Sequence, residues 1–183
     1  RLIGYVFGFP TREPDVQHSH RLAVLHRARG AGTGLRLKRY QREWCLARGI
    51  NRVRWTFDPL QALNATLNIH RLGATSSVYL EHYYGAMGGI NSGLASDRLL
   101  VEWTLNSPVA TALAGGAARP NRATKTLDFA LPADIATLAL NDPGRAHDLR
   151  HRLRALLQRQ FAEGLAIVDF DRVKRMYRLA RTS

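Results

Sequence analysis

Six consecutive residues, Arg29-Gly30-Ala31-Gly32-Thr33-Gly34, constrain this chain more than any others. They stand between an apolar, strand-like run, Leu22-Ala23-Val24-Leu25, and a helix-like run from Leu35 to Arg48. A strand that passes through alternating glycines into a helix aims several backbone N–H groups at one point, where the helix dipole also favours negative charge. Glycine suits such a turn because a Cβ would block close approach of a diphosphate and would disfavour positive φ. The turn therefore reads as a phosphate site. Leu35 and Arg36 follow Gly34, so the Gly-Lys-Ser/Thr ending of a P-loop is missing. The glycines fall at 30, 32 and 34, which is not the Gly-x-Gly-x-x-Gly spacing of a dinucleotide fold.

The flanks extend the pattern. Upstream, His18-Ser19-His20 precedes Leu22-Ala23-Val24, and strand alternation puts His18 and His20 on one face. Downstream, Leu37, Tyr40 and Trp44 mark one side of the predicted helix, and Gly49 is its expected stop. Val53, Trp55 and Phe57 then alternate with Arg52, Arg54 and Thr56, a strand signature. Asp58-Pro59 reads as a cap and first-turn proline for a helix with Leu60, Leu63 and Leu67, ending near Gly73. Residues 76 to 82 and 99 to 105 read as further strands.

Arg29-x-x-Gly32-x-Gly34 resembles the Arg/Gln-x-x-Gly-x-Gly/Ala motif of the GNAT superfamily, the acyl-CoA-dependent N-acyltransferases. The His-x-His strand is similar to the one preceding the same loop in serotonin N-acetyltransferase. Taken with Trp55-Thr56-Phe57-Asp58-Pro59-Leu60, Asn64, Asn68, Leu72-Gly73-Ala74 and Ser96-Asp97-Arg98, it resembles a bacterial group of predicted GNAT acyltransferases over roughly residues 1 to 105. The resemblance implies a mixed α/β fold, a central mixed sheet flanked by helices. It implies acetyl-CoA or another acyl-CoA as co-substrate, with its diphosphate on Arg29, Gly30, Ala31, Gly32, Thr33 and Gly34. Leu22 and Val24 would lie along the coenzyme, and Asn64 and Asn68 near its pantetheine. Asp97 and Arg98 are expected either to contact the acceptor or to pair with each other.

The chemistry sets its own demands. An amine arrives protonated and must lose a proton before it attacks, a task suited to a neutral imidazole. His20 is the expected base or water-holder, with His18 assisting. The thioester carbonyl must be polarised, and a backbone N–H near Val24 suits that. The pattern also departs from the family. The tyrosine expected four residues before Gly73, which would protonate the leaving thiolate, is Ile69, and the asparagine expected seven residues earlier is Ala62. His70, Tyr79, Tyr83 and Tyr84 are the alternative acids, and water suffices for a thiolate of pKa near ~8.5. The family's earlier strands and helices are not seen ahead of Arg1, an expectation of missing N-terminal elements.

The division expected is a coenzyme-binding core over 1–105, a flexible linker or surface loop over 106–124, rich in Ala, Gly, Pro and Asn, and a β-α-α-β-β extension over 125–183 that packs on the core. In the extension, Asn141-Asp142-Pro143 opens a long helix with Leu149, Leu153, Leu156, Leu157 and Phe161 on one side. Its other face, with Arg150, His151 and Arg154, is expected to be solvated. One cysteine, Cys45, excludes an internal disulfide and points to a reducing, cytoplasmic setting; it reads as a small core residue. No apolar run of membrane-spanning length and no signal peptide appear. The net charge is +13, from 24 Arg and 3 Lys against 14 acids. Coenzyme phosphates account for part of that charge. The partners expected are a small-molecule amine acceptor and, as an option, a second copy in a homodimer, with no membrane, no metal and no nucleic acid as main partner. Two alternatives remain: a GNAT-like module that binds CoA without turnover, and a basic nucleic-acid-binding protein.

Overall fold

The computed structural model describes residues 1–85, 96–121 and 123–181. The chain forms two compact units. The first comprises Arg1–Trp55, Arg71–Ala74 and Glu102–Pro120; the second comprises Thr56–His70, Thr75–Val101 and Asn121–Ser183. The fold class is the mixed α/β expected, with a large mixed sheet flanked by helices.

In the first unit the strand order is β1-β2-β3-β5. Strand β1 (Gly4–Pro10) runs antiparallel to β2 (Val16–Val24), and β2 runs parallel to β3 (Arg52–Phe57). Helix α1 (Thr33–Leu46) makes the crossover that parallel strands require. The alternation read from Val53 and Trp55 is what packs. Both are buried, and Trp55 meets Trp103 of β5 (Arg98–Thr104) edge to face, with centroids 6.3 Å apart. The opposite face carries Arg52 and Arg54, paired with Glu13, Asp15 and Glu102.

The stretch after β5 differs from the loop expected. Helix α3 (Pro108–Ala114) forms there, with Pro108 in its first turn and Ser107 as N-cap, its Oγ accepting from the Ala110 amide at 3.2 Å. A short cap-plus-proline signal outweighs the Ala/Gly composition because Val109 and Ala110 are buried. Gly73, at φ +78°, lies so close to α3 that a Cβ would come within 2.9 Å of the Val109 side chain. From α1, Arg39 donates to the Leu113 carbonyl and Arg42 to the Leu105 carbonyl. Arg122, in the same expected loop, lies outside the described residues.

In the second unit the order is β5-β4-β7-β8-β6, where β4 is Thr75–Leu80, β6 Lys125–Ala130, β7 Leu165–Asp171 and β8 Met176–Arg181. Helices α4 (Ile135–Asn141) and α5 (Pro143–Ala162) complete the β-α-α-β-β order, capped by Asp134 and Asp142. The helix after Asp58-Pro59 is shorter than its leucine stripe predicts. Helix α2 spans Ala62–Ala65 and gives way to a π-helical turn over Thr66–Arg71, leaving Leu63 exposed.

On the basic face of α5, His151 is exposed as expected, but the two arginines are drawn inward. Arg150 is 6% exposed and grips Asp58 with two bonds of 2.9 and 3.0 Å. Arg154 donates to both oxygens of the fully buried Asp97 and to Glu81. Periodicity marked the leucines as the buried stripe; the carboxylates of Asp58 and Asp97 drew the arginines inward. Burial pushes the Asp97 pKa up, but bonds from Tyr79, Arg154 and the His82 amide outweigh it, so the net shift is downward. A depressed carboxyl contributes stability above its ordinary range and loses it as pH falls through the folded value. Asp97→Ala is expected to lower stability by roughly 3–5 kcal/mol, because it leaves the Arg154 charge without its buried partner. Urea unfolding at neutral pH measures this, and an unchanged midpoint would contradict it.

Candidate functional site

Strand β2 presents two chemically different faces. Gln17 and Ser19 are buried toward α1, whereas His18 is half-buried and His20 exposed on the other side. The pairing with β1 is interrupted between them. Gly8 pairs with Ser19 and Phe7 with Arg21, so His20 is the extra residue of a β-bulge. Phenylalanines of β1 steady both rings. Phe9 stacks on His18 at 4.9 Å and 25°, and Phe7 meets His20 edge-on at 6.1 Å. The His18 pKa is lowered, first by burial, then by His20 and Lys38 nearby, which favours the neutral imidazole.

At its far end β2 turns its main chain outward. The Leu25 amide donates to the Ile3 carbonyl at 2.8 Å, so the preceding Gly4–Val24 pair is a non-bonded position of the antiparallel ladder. The Val24 N–H and C=O therefore point away from β1. Its carbonyl accepts from Arg29 Nε at 3.2 Å, which fixes the Arg29 side chain across the turn. The parallel register with β3 runs from Val16↔Arg52 to His18↔Arg54.

The glycine turn follows a 3-10 turn over His26–Ala28. Gly30 (φ +81°) and Gly32 (φ +74°) both adopt left-handed conformations, and a Cβ on either would meet nothing within 4 Å. These glycines serve backbone geometry and open space, not packing. Gly32 is the N-cap of α1, and no side chain caps the helix. The first helical bond is Arg36 N–H to the Gly32 carbonyl, so the amides of Thr33, Gly34 and Leu35 precede the intrahelical ladder. Thr33 Oγ1 closes back on the Ala28 carbonyl at 3.1 Å.

Beneath β2 lies a cluster that sequence reading missed. Lys38, 2% exposed, donates to Ser19 Oγ at 2.8 Å and Gln41 Oε1 at 3.1 Å, and its ammonium sits 3.9 Å from the Trp55 ring centroid. Gln41 Nε2 donates to Gln17 Oε1 at 2.6 Å, and the Cys45 thiol to the same oxygen at 3.5 Å. Burial with no compensating carboxylate lowers the Lys38 pKa to about 7. Burial also pushes the Cys45 thiol up to about 11, so it is a poor nucleophile. The helix thus buries Lys38, Gln41 and Cys45, while Tyr40 and Trp44, marked by periodicity, stay exposed. Lys38 and Gln41 are of residue types that ordinarily face solvent. The available signal was Gln17-x-Ser19, polar residues alternating out of phase with the histidines.

The other residues of interest lie in the second unit. Asn64 is exposed on α2, and Asn68 is buried in the π-helical turn. Asp97 bonds to Tyr79, Arg154 and the His82 amide, while Arg98 donates to the Asp97 main-chain oxygen and lies over the Tyr84 ring. Their carboxylate and guanidinium thus have separate partners. Ile69 is fully buried. Of the alternative acids, Tyr79 is raised far above its usual range by burial and by its bond to Asp97. Tyr83 and Tyr84 are exposed and T-stacked, and His70 Nδ1 lies 3.0 Å from Asp169 Oδ1. Among the described residues, no group of three or more His, Cys, Asp or Glu is placed to hold a metal ion, and no helix is long and apolar enough to cross a membrane.

No family model matches this chain, and no curated protein matches it. Among solved structures it is similar to an IAA acetyltransferase from Bacillus cereus ATCC 14579, at 19% identity, over 55% of this chain and 68% of that one, with a TM-score of 0.47. It is also similar to a CoA-dependent acyl-homoserine lactone synthase, MesI, at 13% identity, over 61% of this chain, with a TM-score of 0.37. The match spans about half of that synthase, 52% of its length.

Lys38 makes stability pH-dependent. The unfolded side chain holds its proton up to about 10.5, the folded one only to about 7. Between those values the unfolded state binds more protons, so stability rises with pH across this window. At about 1.4 kcal/mol per pKa unit, the full effect is roughly 4–5 kcal/mol. Lys38→Met is expected to flatten the dependence and to stabilise the protein near pH 7, since Gln41 Oε1 retains the Ser19 hydroxyl at 3.4 Å. Chemical unfolding at pH 7, 8.5 and 10 checks this, and an equal slope in both proteins would refute it.

Proposed function

We propose that this chain is an acyl-CoA-dependent N-acyltransferase that moves an acyl group, acetyl in the simplest case, to the amine of a small molecule or amino acid. The uncapped first turn of α1 carries the proposal. Its open amides follow two left-handed glycines that face free space. A linked diphosphate satisfies such amides and complements the helix dipole. Arg29, held to the Val24 carbonyl, adds positive charge at the same turn.

The reaction is direct transfer. The acceptor amine gives a proton to His20, directly or through a water, and its nitrogen attacks the thioester carbonyl. His18, kept neutral by its surroundings, assists. Negative charge gathers on the carbonyl oxygen, and the Val24 amide, directed away from β1, is the donor proposed to meet it. Collapse breaks the C–S bond, the nitrogen, left positively charged by the attack, releases its second proton to solvent, and the thiolate takes one from water; the bond from Tyr79 to Asp97 argues against that hydroxyl as the source. No covalent enzyme intermediate is needed.

Micromolar acetyl-CoA binding is expected in calorimetry, with loss in Gly32→Glu, which sets a carboxylate among the phosphate-facing amides and strains a left-handed position. Absence of wild-type binding at millimolar ligand would end the proposal. Thiol release from acetyl-CoA or succinyl-CoA with an amine panel is expected to fall about 10²–10⁴-fold in His20→Ala, the usual contribution of a general base. An unchanged rate removes His20 from that role. Tight binding without thiol release assigns the chain instead to a coenzyme-binding module, the reading that buried Ile69 at the acid position favours.

A further inference from the structure

Lys38 is a buried amine to which the proposed transfer gives no proton-transfer step, and its position links the two working parts of the first unit. It lies five residues into the helix whose N-terminus forms the glycine turn. At ~1.5 Å per residue it stands ~8 Å along the axis from that turn. Its side chain passes under β2 to Ser19, the residue between the two histidines. The surroundings offer three acceptors for three N–H bonds: Ser19 Oγ, Gln41 Oε1 and the Trp55 ring face. Among the described residues no carboxylate is one of its hydrogen-bond partners. The cradle fits an ammonium geometrically but leaves its charge without a counter-ion.

We propose that Lys38 is a positioning residue that acts as a proton-linked counter-charge to the glycine turn: an anionic coenzyme bound there supplies the missing negative charge and draws a proton onto Lys38, and the proton in turn tightens coenzyme binding. This rests on the assignment of the turn to coenzyme phosphates. The proton comes from solvent and converts a neutral amine to an ammonium; no other bond changes. The third N–H formed points to the indole face of Trp55, where a cation is favoured.

The groups facing Lys38 leave it free to respond. From α1 come Gln41 and the Cys45 thiol, which stays neutral because burial pushes it up to about 11. From β2 comes Ser19, with Gln17 bonded to Gln41 and with His18 and His20 across the strand. From β3 comes the Trp55 ring. The free side chain titrates near neutrality, where a modest field changes its occupancy. A single anionic charge ~10 Å away at an effective dielectric near ~20 changes proton affinity about tenfold.

The test uses acetyl-3′-dephospho-CoA, whose diphosphate diester does not titrate between pH 6 and 9 and which carries no free thiol. Calorimetry at pH 7.5 in buffers of different ionisation enthalpy is expected to show uptake of about half a proton in the wild type and none in Lys38→Met. Wild-type affinity is expected to fall about tenfold from pH 6 to pH 9, while the variant stays flat at the pH 9 value. Binding without proton uptake, or equal uptake in both proteins, overturns this inference and leaves the coenzyme assignment standing. Absence of binding overturns both. Should Lys38→Met fail to fold, the wild type alone decides by NMR. The chain has three lysines, so three side-chain Cε signals arise. One is expected to titrate near neutral pH and to move to higher pH on saturation; three ordinary, ligand-insensitive titrations refute the proposal.

Discussion

The alternation of β2 is the constraint on which the first unit depends. A strand sends successive side chains to opposite faces, and here the two faces have incompatible chemistry. Gln17 and Ser19 go under the strand to meet Lys38 and Gln41 of α1, and His18 goes to the aromatic face formed by β1. The bulge at His20 inserts a residue against β1 without undoing either arrangement. Phe9 lies against both imidazoles, and Phe7 against His20. Beyond it, the ladder leaves the Val24 amide directed outward.

The brace between α1 and β2 includes a chain of polar bonds, from Lys38, Gln41 and Cys45 of the helix to Ser19 and Gln17 of the strand. Hydrophobic packing alone would not fix the rotation of α1 about its axis as narrowly as directional bonds do. That rotation matters because the first-turn amides of the same helix form the glycine turn. The cost is an ammonium held in a dry place, and the lowered Lys38 pKa expresses it. In the second unit, the cations of α5 are held differently. Arg150 and Arg154 each receive a bidentate carboxylate, from Asp58 and Asp97, and keep their charge. The contrast follows from the partners: where a carboxylate is present the charge persists, and where only neutral oxygens and a ring are present it becomes conditional.

Much of the element order was legible because it depends on local signals. The cap at Asp142, the proline at 143, and the alternation of Val53, Trp55 and Phe57 each act within a few residues. The misread segments were those in which distant partners decided the outcome. Helix α3 is written in an Ala- and Gly-rich stretch whose core residues, Val109 and Ala110, matter only once Gly73 lies against them. The arginines of α5 looked solvated because the carboxylates that claim them lie 92 and 57 positions away in the chain.

The amino-acid sequence by itself determined the glycine turn, because left-handed backbone and a bare first helical turn are properties of a few adjacent residues. It likewise determined the placement of two histidines in one strand, through the two-residue repeat. Only the tertiary structure decided that His20 is bulged, that the Val24 amide faces away from β1, and that Lys38 lies buried beneath Ser19. Those outcomes depend on ladder register and on which groups meet in a solvent-free interior, and neither is encoded within any short window of residues.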